Sequence, residues 1–574
     1  MSLPPAAASR AERPGPFSDA HARLCAKMLS ELLHEELITA RFYGERDNYV
    51  VSIGGGLDYT FRATQRALDH WQVELGSVTK CSPAEPADAV ELFLDLAPEL
   101  GITSDMLPLY IEELLGTLYA LAHHAGGDAP TAATLAATDD FQVVEAAMRD
   151  GHPCFVANAG RIGFSAADHR QYAPESGHRF SVGWLAGRRA YVTHHTISSL
   201  DYEAHIDRQL GPELRERAQA LLIEAGHQPD DFVLLPVHPW QWRQTLQYHY
   251  AEEIAAGRLV WLFESEDEFQ AQQSIRTLFN RSRPEEPYVK LALSIRNMGF
   301  VRGLSPGYMA VTPAINDWVA ALVREDSVLQ GLGFDLLQEI VTVGYRHPLF
   351  DARPENCPER KMLSALWRES PLTRLRSGER VVTMAALLHR DADGRSFLGA
   401  LIAKSELSPH DWLRRYLDSY LTPLLHCFYE HELAFMPHGE NVLLVLHEDR
   451  PRRVLIKDIG EETLVFARTD RLPAPARRLG LEVTDEVRTL HITADIFDSF
   501  FRHLGALLHD DQIVLEQGPE VAEEGVENVG RDVQRSHLIG HLKRQPTCGR
   551  GEPVGSRKHQ GLFADILDEN AARP

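Results

Sequence analysis

The sequence predicts an α+β protein of several domains, and three observations carry that expectation. At 574 residues the chain is too long for one hydrophobic core and should divide into about two to four domains. Helical apolar spacing recurs from His21 to about Thr39, through residues 86–150, and from Trp412 to about Glu430. Strand–turn–strand patterns at 49–62, 273–295 and 442–456 read as antiparallel hairpins set between those helices.

Residues 1–20 are rich in Ala, Pro and Arg and are expected to be disordered. In the first helix Leu24, Met28, Leu29, Leu32, Leu33 and Leu37 share one face. Gly54-Gly-Gly joins two strand patterns; no Gly-Lys-Ser/Thr follows and no helix begins there, so a hairpin turn is preferred to a phosphate loop. Gly, Pro and Asn are too dense between Gly151 and Phe164 for regular structure, which predicts a shaped loop. Phe232–Val237 reads as a buried strand ending in His238-Pro-Trp-Gln-Trp242, where His238 and the tryptophans are core packing. Residues 273–280 and 288–295 flank a turn at 281–287. A register symmetric about Pro284 puts Ser274 and Arg276 on one face with Lys290. That face is an anion platform or the solvated side of an edge strand; the pattern alone leaves both open. Asn297-Met-Gly-Phe-Val-Arg302-Gly adds a glycine-punctuated turn with one cation, and Pro423 is expected to kink the helix at 412–430.

Composition removes several function classes. Hydrophobic residues make up 44% and charged residues 24%, an ordinary globular balance. Net charge −24 argues against nucleic acid or an anionic membrane as partner, since both need a basic footprint. No run approaches the roughly 18 apolar residues of a membrane span, and the N-terminus lacks a signal-peptide core. Six scattered cysteines without a Cys-x-x-Cys pair fit a reducing cytoplasm and supply no disulfide or zinc framework. The 27 histidines include no His-Glu-x-x-His, and the doublets at 123–124 and 194–195 read as surface or loop residues.

Phe435-Met-Pro-His438-Gly-Glu440-Asn441 is the most informative stretch. It runs into an apolar strand (442–446), a polar turn from His447 to Arg453, and a second strand (454–456) ending at Lys457-Asp458. A hairpin with a loop longer than the tightest turns would bring Asn441 beside Asp458. His, Glu, Asn, Lys and Asp then converge at one end of a small sheet. Hard oxygen ligands there suit Mg²⁺ and the lysine suits a polyphosphate, so the cluster predicts a nucleotide site.

Taken with His238-Pro-Trp-Gln-Trp, Gln273-Ser-Ile-Arg-Thr277, Asn297 to Ser305 and Thr312-Pro-Ala-Ile-Asn316, these motifs resemble the IucA/IucC family of siderophore synthetases that work independently of nonribosomal peptide synthetases. The resemblance runs in order from about residue 20 to about 510. It is closest to the desferrioxamine synthetase group, through the run at 151–158, the Asn297–Ser305 turn and Glu440; Ala159, where many relatives carry lysine, fits that subgroup. The resemblance implies a cupped hand of three parts: thumb (21–170), fingers (171–375) and palm (376–511); the tail at 512–574 departs from it, being rich in Gly, Arg and His without helical spacing, and is expected to be poorly ordered. It implies a cytoplasmic, homodimeric enzyme using ATP and Mg²⁺. The enzyme would adenylate the carboxylate of an N-hydroxy-N-succinyl diamine, such as N-hydroxy-N-succinylcadaverine, and join it to an amine, giving oligomeric or macrocyclic hydroxamates.

On that reading Ser274, Arg276, Thr277 and Lys290 contact phosphates from the fingers. Glu440, Asn441 and Asp458 hold Mg²⁺, ribose or phosphate from the palm. Arg302 and His438 take the substrate carboxylate and the acyl-phosphate oxygen, with His438 also a candidate base for the incoming ammonium, and Lys290 completes the catalytic set. His152, Asn158 and Arg161 line the acyl site. Three alternatives stand beside it: a citrate-using synthetase of the same family, an ATP-binding protein crippled by the altered tail, and a small-molecule kinase. The kinase is disfavoured because no His-x-Asp with an Asn five residues on is present and no Gly-rich loop precedes Lys290.

Overall fold

In the computed structural model the described residues run from 15 to 480, apart from 45–46, 55, 67–69, 83, 125–128, 149–154, 355–356 and 467–471. The tail expected at 512–574 and His152 lie outside them. The class is α+β. Sheets are antiparallel except where Asp335–Leu336 runs parallel to Leu455–Ile456 among the described residues.

The N-terminal core packs helices Gly15–His34, Ala89–Leu96 and Leu107–His124 against the hairpin Asn48–Ile53/Leu57–Gln65. The first helix begins inside the stretch expected to be disordered, and buries Ala20, Leu24, Met28, Leu29 and Leu33. It stops before Leu37, which is exposed. Glu36 adopts φ 55°, while Glu36 N–H donates to the Leu33 carbonyl and Leu37 N–H to the Leu32 carbonyl. This is a Schellman stop made without glycine. Gly54 and Gly56 lie in the turn that joins the two strands, with Ile53 opposite Leu57.

The middle core lies between two sheets. One has three strands, Leu259–Glu264, Gly183–Arg188 and Phe232–Val237. The other has six, in the order Phe269–Ala271, Thr277–Asn280, Tyr288–Leu291, Ser364–Arg368, Glu339–Tyr345 and Val192–Thr196. His238 is fully buried: its Nδ1 accepts the Trp240 N–H, and burial holds its pKa down at about 3. This is core packing, as the sequence suggested.

The C-terminal core covers the sheet of Asp335–Leu336, Arg450–Ile456, Val442–His447 and Glu379–Thr383 with helices Pro306–Glu325, Phe397–Ser405 and Pro409–His431. The last helix continues through Pro423. Segments remote in sequence join this core: Leu135, Ala136, Val144 and Met148 pack here rather than on the N-terminal helices, and so do Ile315, Val319 and Val323. Chain order and core membership therefore diverge. Helix Phe141–Ala147 is pinned to the middle sheet as well, by the Asp140–Arg281 ion pair at 2.7 Å.

Candidate active site

The site lies where the middle sheet meets the C-terminal hairpin. Thr277 stands directly opposite Lys290, and Tyr288 opposite Arg368, so Thr277, Lys290, Tyr288 and Arg368 share one sheet face. Glu339, opposite Arg368 on the next strand, joins them. The symmetric register expected about Pro284 is therefore off by one. The Asn280 side chain accepts the N–H groups of Ser282 and Arg283 at 3.0 and 2.8 Å, which fixes where the turn begins. Ser274 and Arg276 fall in a turn before the strand. The Arg276 guanidinium donates to the Gly303 carbonyl, and Ser274 Oγ lies 3.4 Å from Thr277 Oγ1. Neither Ser274 nor Arg276 stands opposite Lys290; of the residues expected to contact phosphates from the fingers, Thr277 does.

The opposite wall is the hairpin Val442–His447/Arg450–Ile456, whose loop is tighter than expected. Glu448 and Asp449 both take positive φ (51° and 61°), a two-residue turn normally reserved for Asn-Gly or Asp-Gly. The Asp449 carboxylate binds Arg380 and Lys404, and its carbonyl accepts the Trp412 indole N–H at 3.1 Å. Tertiary contacts thus hold a turn that the local sequence does not announce. Lys457 N–H donates to the Asn441 carbonyl at 3.0 Å, which brings Asp458 to the mouth of the hairpin one residue beyond.

Asp458 is the hub. Its Oδ1 binds Lys290 Nζ at 2.7 Å and its Oδ2 binds Arg368 at 2.8 Å. These cations, with Lys457, hold its carboxyl well below the usual carboxylate range. Asp458 sits in the left-handed region at φ 60°, a conformation with a cost that its surroundings must offset. The chain after it is clamped, because Gly460 N–H donates to Glu339 Oε2 at 2.8 Å. Asn316 fixes Glu339 in turn, accepting its backbone N–H at 2.9 Å. A Cβ at Gly460 would come within 2.5 Å of Thr312 and 2.7 Å of Glu339, so only glycine fits there. The Thr312–Asn316 motif therefore positions the segment that follows the hub.

Lys290, Arg368 and Lys457 are each at most 5% exposed, and Asp458 is their shared acid. Burial, reinforced by Arg368, pushes Lys457 down from the ordinary lysine range. On the other side of the hairpin end, burial pushes the Glu440 carboxyl up. His438, Lys457 and Arg302 counter that rise, and Glu145 adds to it. The His438 ring accepts the Glu440 backbone N–H on Nδ1 at 3.3 Å, which in the neutral ring leaves the hydrogen on Nε2, a donor. Arg302 NH2 donates to the Asn297 carbonyl at 2.7 Å, within electrostatic reach of both Glu440 and Glu113.

Arg161 is placed otherwise than expected. Its guanidinium is buried against Glu175 and His169, and its backbone (φ 42°) accepts the left-handed form while its N–H donates to Asn297. It braces the loop. The Asn158 carbonyl accepts from Asn297 Nδ2 at 3.3 Å, which brings that residue to the same brace.

Two site residues escaped the sequence reading. Arg368 ends an otherwise apolar buried strand, Ser364-Ala-Leu-Trp-Arg368, and a cation in that position was the available signal. Glu145, on a helix far upstream, accepts the Gln273 N–H at 3.1 Å and the Thr383 hydroxyl. Nothing local marked it.

Comparison with known proteins places this fold. A model of the IucA / IucC family matches residues 140–389, and one described as ferric iron reductase FhuF-like transporter matches 410–517. Putrebactin synthase of Shewanella sp. (strain MR-4) is 43% identical over 524 residues, covering 90% of this chain and 82% of that one. Aerobactin synthetase IucC from a hypervirulent pathotype of Klebsiella pneumoniae superposes with TM-score 0.76 at 26% identity, over 86% of this chain and 87% of its own. The ATP-bound aerobactin synthetase IucA from the same pathotype shares the fold (TM-score 0.68, 19% identity, 88% and 89% coverage). The chain belongs to the IucA/IucC family of siderophore synthetases, which are ATP-dependent ligases. Relatives in this family act on small carboxylate and amine substrates.

Proposed function

We propose that the chain forms amide bonds between N-hydroxy-N-succinyl diamine units, through an acyl-adenylate, giving hydroxamate oligomers or macrocycles. The observation that carries the ATP-phosphate site is a cluster of cations: Lys290, Arg368 and Lys457, each at most 5% exposed, lie around Asp458. Cations already fixed in place by Asp458 can meet the phosphates of ATP through charge-assisted hydrogen bonds.

In the first step a carboxylate oxygen of the substrate attacks the α-phosphorus of ATP and pyrophosphate leaves. Lys290 and Arg368, held by Asp458, and Thr277 beside Lys290 would neutralise the approaching anions with no reorganisation. Arg302 would orient the carboxylate. His438 would donate from Nε2 to the acyl-phosphate oxygen, since its Nδ1 already accepts a backbone N–H. That tautomer favours the donor role over the role of base. In the second step the neutral amine attacks the acyl carbon and AMP leaves. Free alkylammonium must lose a proton first, so the rate is expected to rise from about pH 7 to 9; a flat profile would remove deprotonation from the limiting step.

The residues fit Mg²⁺ in part. Glu440 is raised by burial with Glu145 adding like charge, which a divalent cation would relieve, and Asn441 beside it offers a hard oxygen. Both oxygens of Asp458 are bonded to cations, so its proposed metal role would require breaking those bonds. When bound, Mg²⁺ would neutralise phosphate charge.

Among the described residues no helix is long and apolar enough to cross a membrane. A homodimer working in the cytoplasm remains part of this reading.

The test is release of AMP and pyrophosphate from Mg-ATP with N-hydroxy-N-succinylcadaverine, run beside citrate plus a diamine. AMP with the succinyl substrate alone supports the reading. AMP with citrate would transfer the enzyme to the citrate-using branch, and ADP would replace the ligase step by phosphotransfer.

A further inference from the structure

A second cluster lies on the C-terminal core, outside the site described. Helix Pro409–His431 ends with His426 and His431, and both rings point their Nε2 at one oxygen of Asp326, at 2.9 and 2.8 Å. The ligand atoms of all three residues lie within 4.8 Å of one another, and among the described residues this is the one such group of three. His426 and Asp326 are nearly enclosed, while the His431 side chain keeps 24% of its surface.

We propose that Asp326, His426 and His431 form a binding site for one divalent transition-metal ion of the zinc class. Two imidazole nitrogens and one carboxylate oxygen are the donor set of a three-ligand site with a further position open to water, and the exposed edge of His431 supplies that opening. The spacing is close to what an ion needs. Tetrahedral bonds of about 2.0–2.1 Å put ligand atoms about 3.3 Å apart, so the two imidazole–carboxylate separations of 2.9 and 2.8 Å widen by about half an ångström on binding.

The carboxylate is also oriented from behind. Asp326 Oδ1 accepts the N–H groups of Val328 and Leu329 at 2.8 and 2.9 Å, capping the short helix Ser327–Leu332. Oδ2 is thereby aimed at the two rings, an arrangement that fixes a ligating oxygen. The ion would tie the end of helix Pro409–His431 to the turn after Pro306–Glu325. From His431 the chain passes through Leu433–Ala434 directly to His438, so the tie would brace the segment that carries the palm-side residues.

The test is titration of the metal-free full chain with Co²⁺, read by its visible d–d absorption, followed by Zn²⁺ displacement and an Mg²⁺ control. One equivalent of Co²⁺ is expected to give the intense bands of low coordination, to be displaced by Zn²⁺ and to be indifferent to Mg²⁺. His431→Gln and Asp326→Asn should each weaken Co²⁺ by at least the roughly 10–100-fold that loss of even an outer-shell partner costs. Asparagine keeps the helix cap, and His431 lies at a partly exposed helix end, so at least one variant retains the fold. Unchanged Co²⁺ affinity in both variants, or no stoichiometric binding by the wild type, would overturn the proposal.

Discussion

Asp458 and Glu440 lie at the same end of one hairpin, yet their carboxyls move in opposite directions. Asp458 is held well below the carboxylate range by Lys290 and Arg368, whereas burial and Glu145 drive Glu440 up. The difference divides the site into two poles. Around Asp458 lie Lys290, Arg368 and Lys457, which suits phosphate; Glu440 is raised by burial with Glu145 adding like charge, which suits a metal ion or an ammonium group. A synthetase that joins an anion to an amine has use for both.

The largest expected effect comes from removing the hub. Asp458→Asn leaves Lys290 and Arg368 buried without their acid and should cost about 3–5 kcal/mol of stability, measured by denaturant unfolding. A loss within about 0.5 kcal/mol would mean that the cations are solvated and that the poles are not distinct. The pH dependence has the same origin. Because the folded pKa of Asp458 is depressed, its contribution is fully present above the unfolded value of about 3.9. It is lost as pH falls below that toward the folded value, so acid unfolding should be steeper in wild type than in Asp458→Asn.

Next in size is Lys290→Ala, expected to lower kcat/KM for adenylation by about 10²–10³-fold if it stabilises the charge developing on phosphate. His438→Gln, which keeps a donor but loses the ring, should cost about as much in rate while leaving the unfolding midpoint in place. The smallest effect belongs to the acidic pole. Glu440→Gln removes a charge that burial already opposes, so stability should stay within about 1 kcal/mol of wild type or rise. The Mg²⁺ concentration needed for half-maximal activity should increase. An unchanged Mg²⁺ requirement would remove Glu440 from the metal role.

How much of this was legible in the sequence follows from the range of each contact. His438-Gly-Glu-Asn441 and Lys457-Asp458 were readable because one hairpin brings them together, and the alternation of its strands is local. The turn itself was misjudged, since Glu448-Asp449 carries no glycine and its positive φ values are maintained by contacts with Arg380, Lys404 and Trp412. Thr277 and Lys290 were placed on adjacent strands, but a one-residue change of register set by the Asn280 side chain moved Ser274 and Arg276 off the face. Arg161 looked like a loop cation free for substrate; its partner Glu175 is fourteen positions on, with nothing in the pattern to join them. Arg368 lies 90 positions from Asp458 and Glu145 lies 238 from Thr383, where no local periodicity reports the contact. The N-terminal core was legible in its helices. The transfer of residues 135–148 to the C-terminal core was not, because apolar spacing says that a face is buried and not against what.

The most direct measurement is calorimetric titration of ATP and of adenosine into wild type and Lys290→Ala, with circular dichroism to verify the fold. If the cations around Asp458 bind the phosphates, the variant should bind ATP at least about tenfold more weakly, a loss of about 1.4 kcal/mol, while adenosine affinity is unchanged. Equal ATP affinity in the two proteins would contradict the account and move the phosphate site away from this face of the sheet.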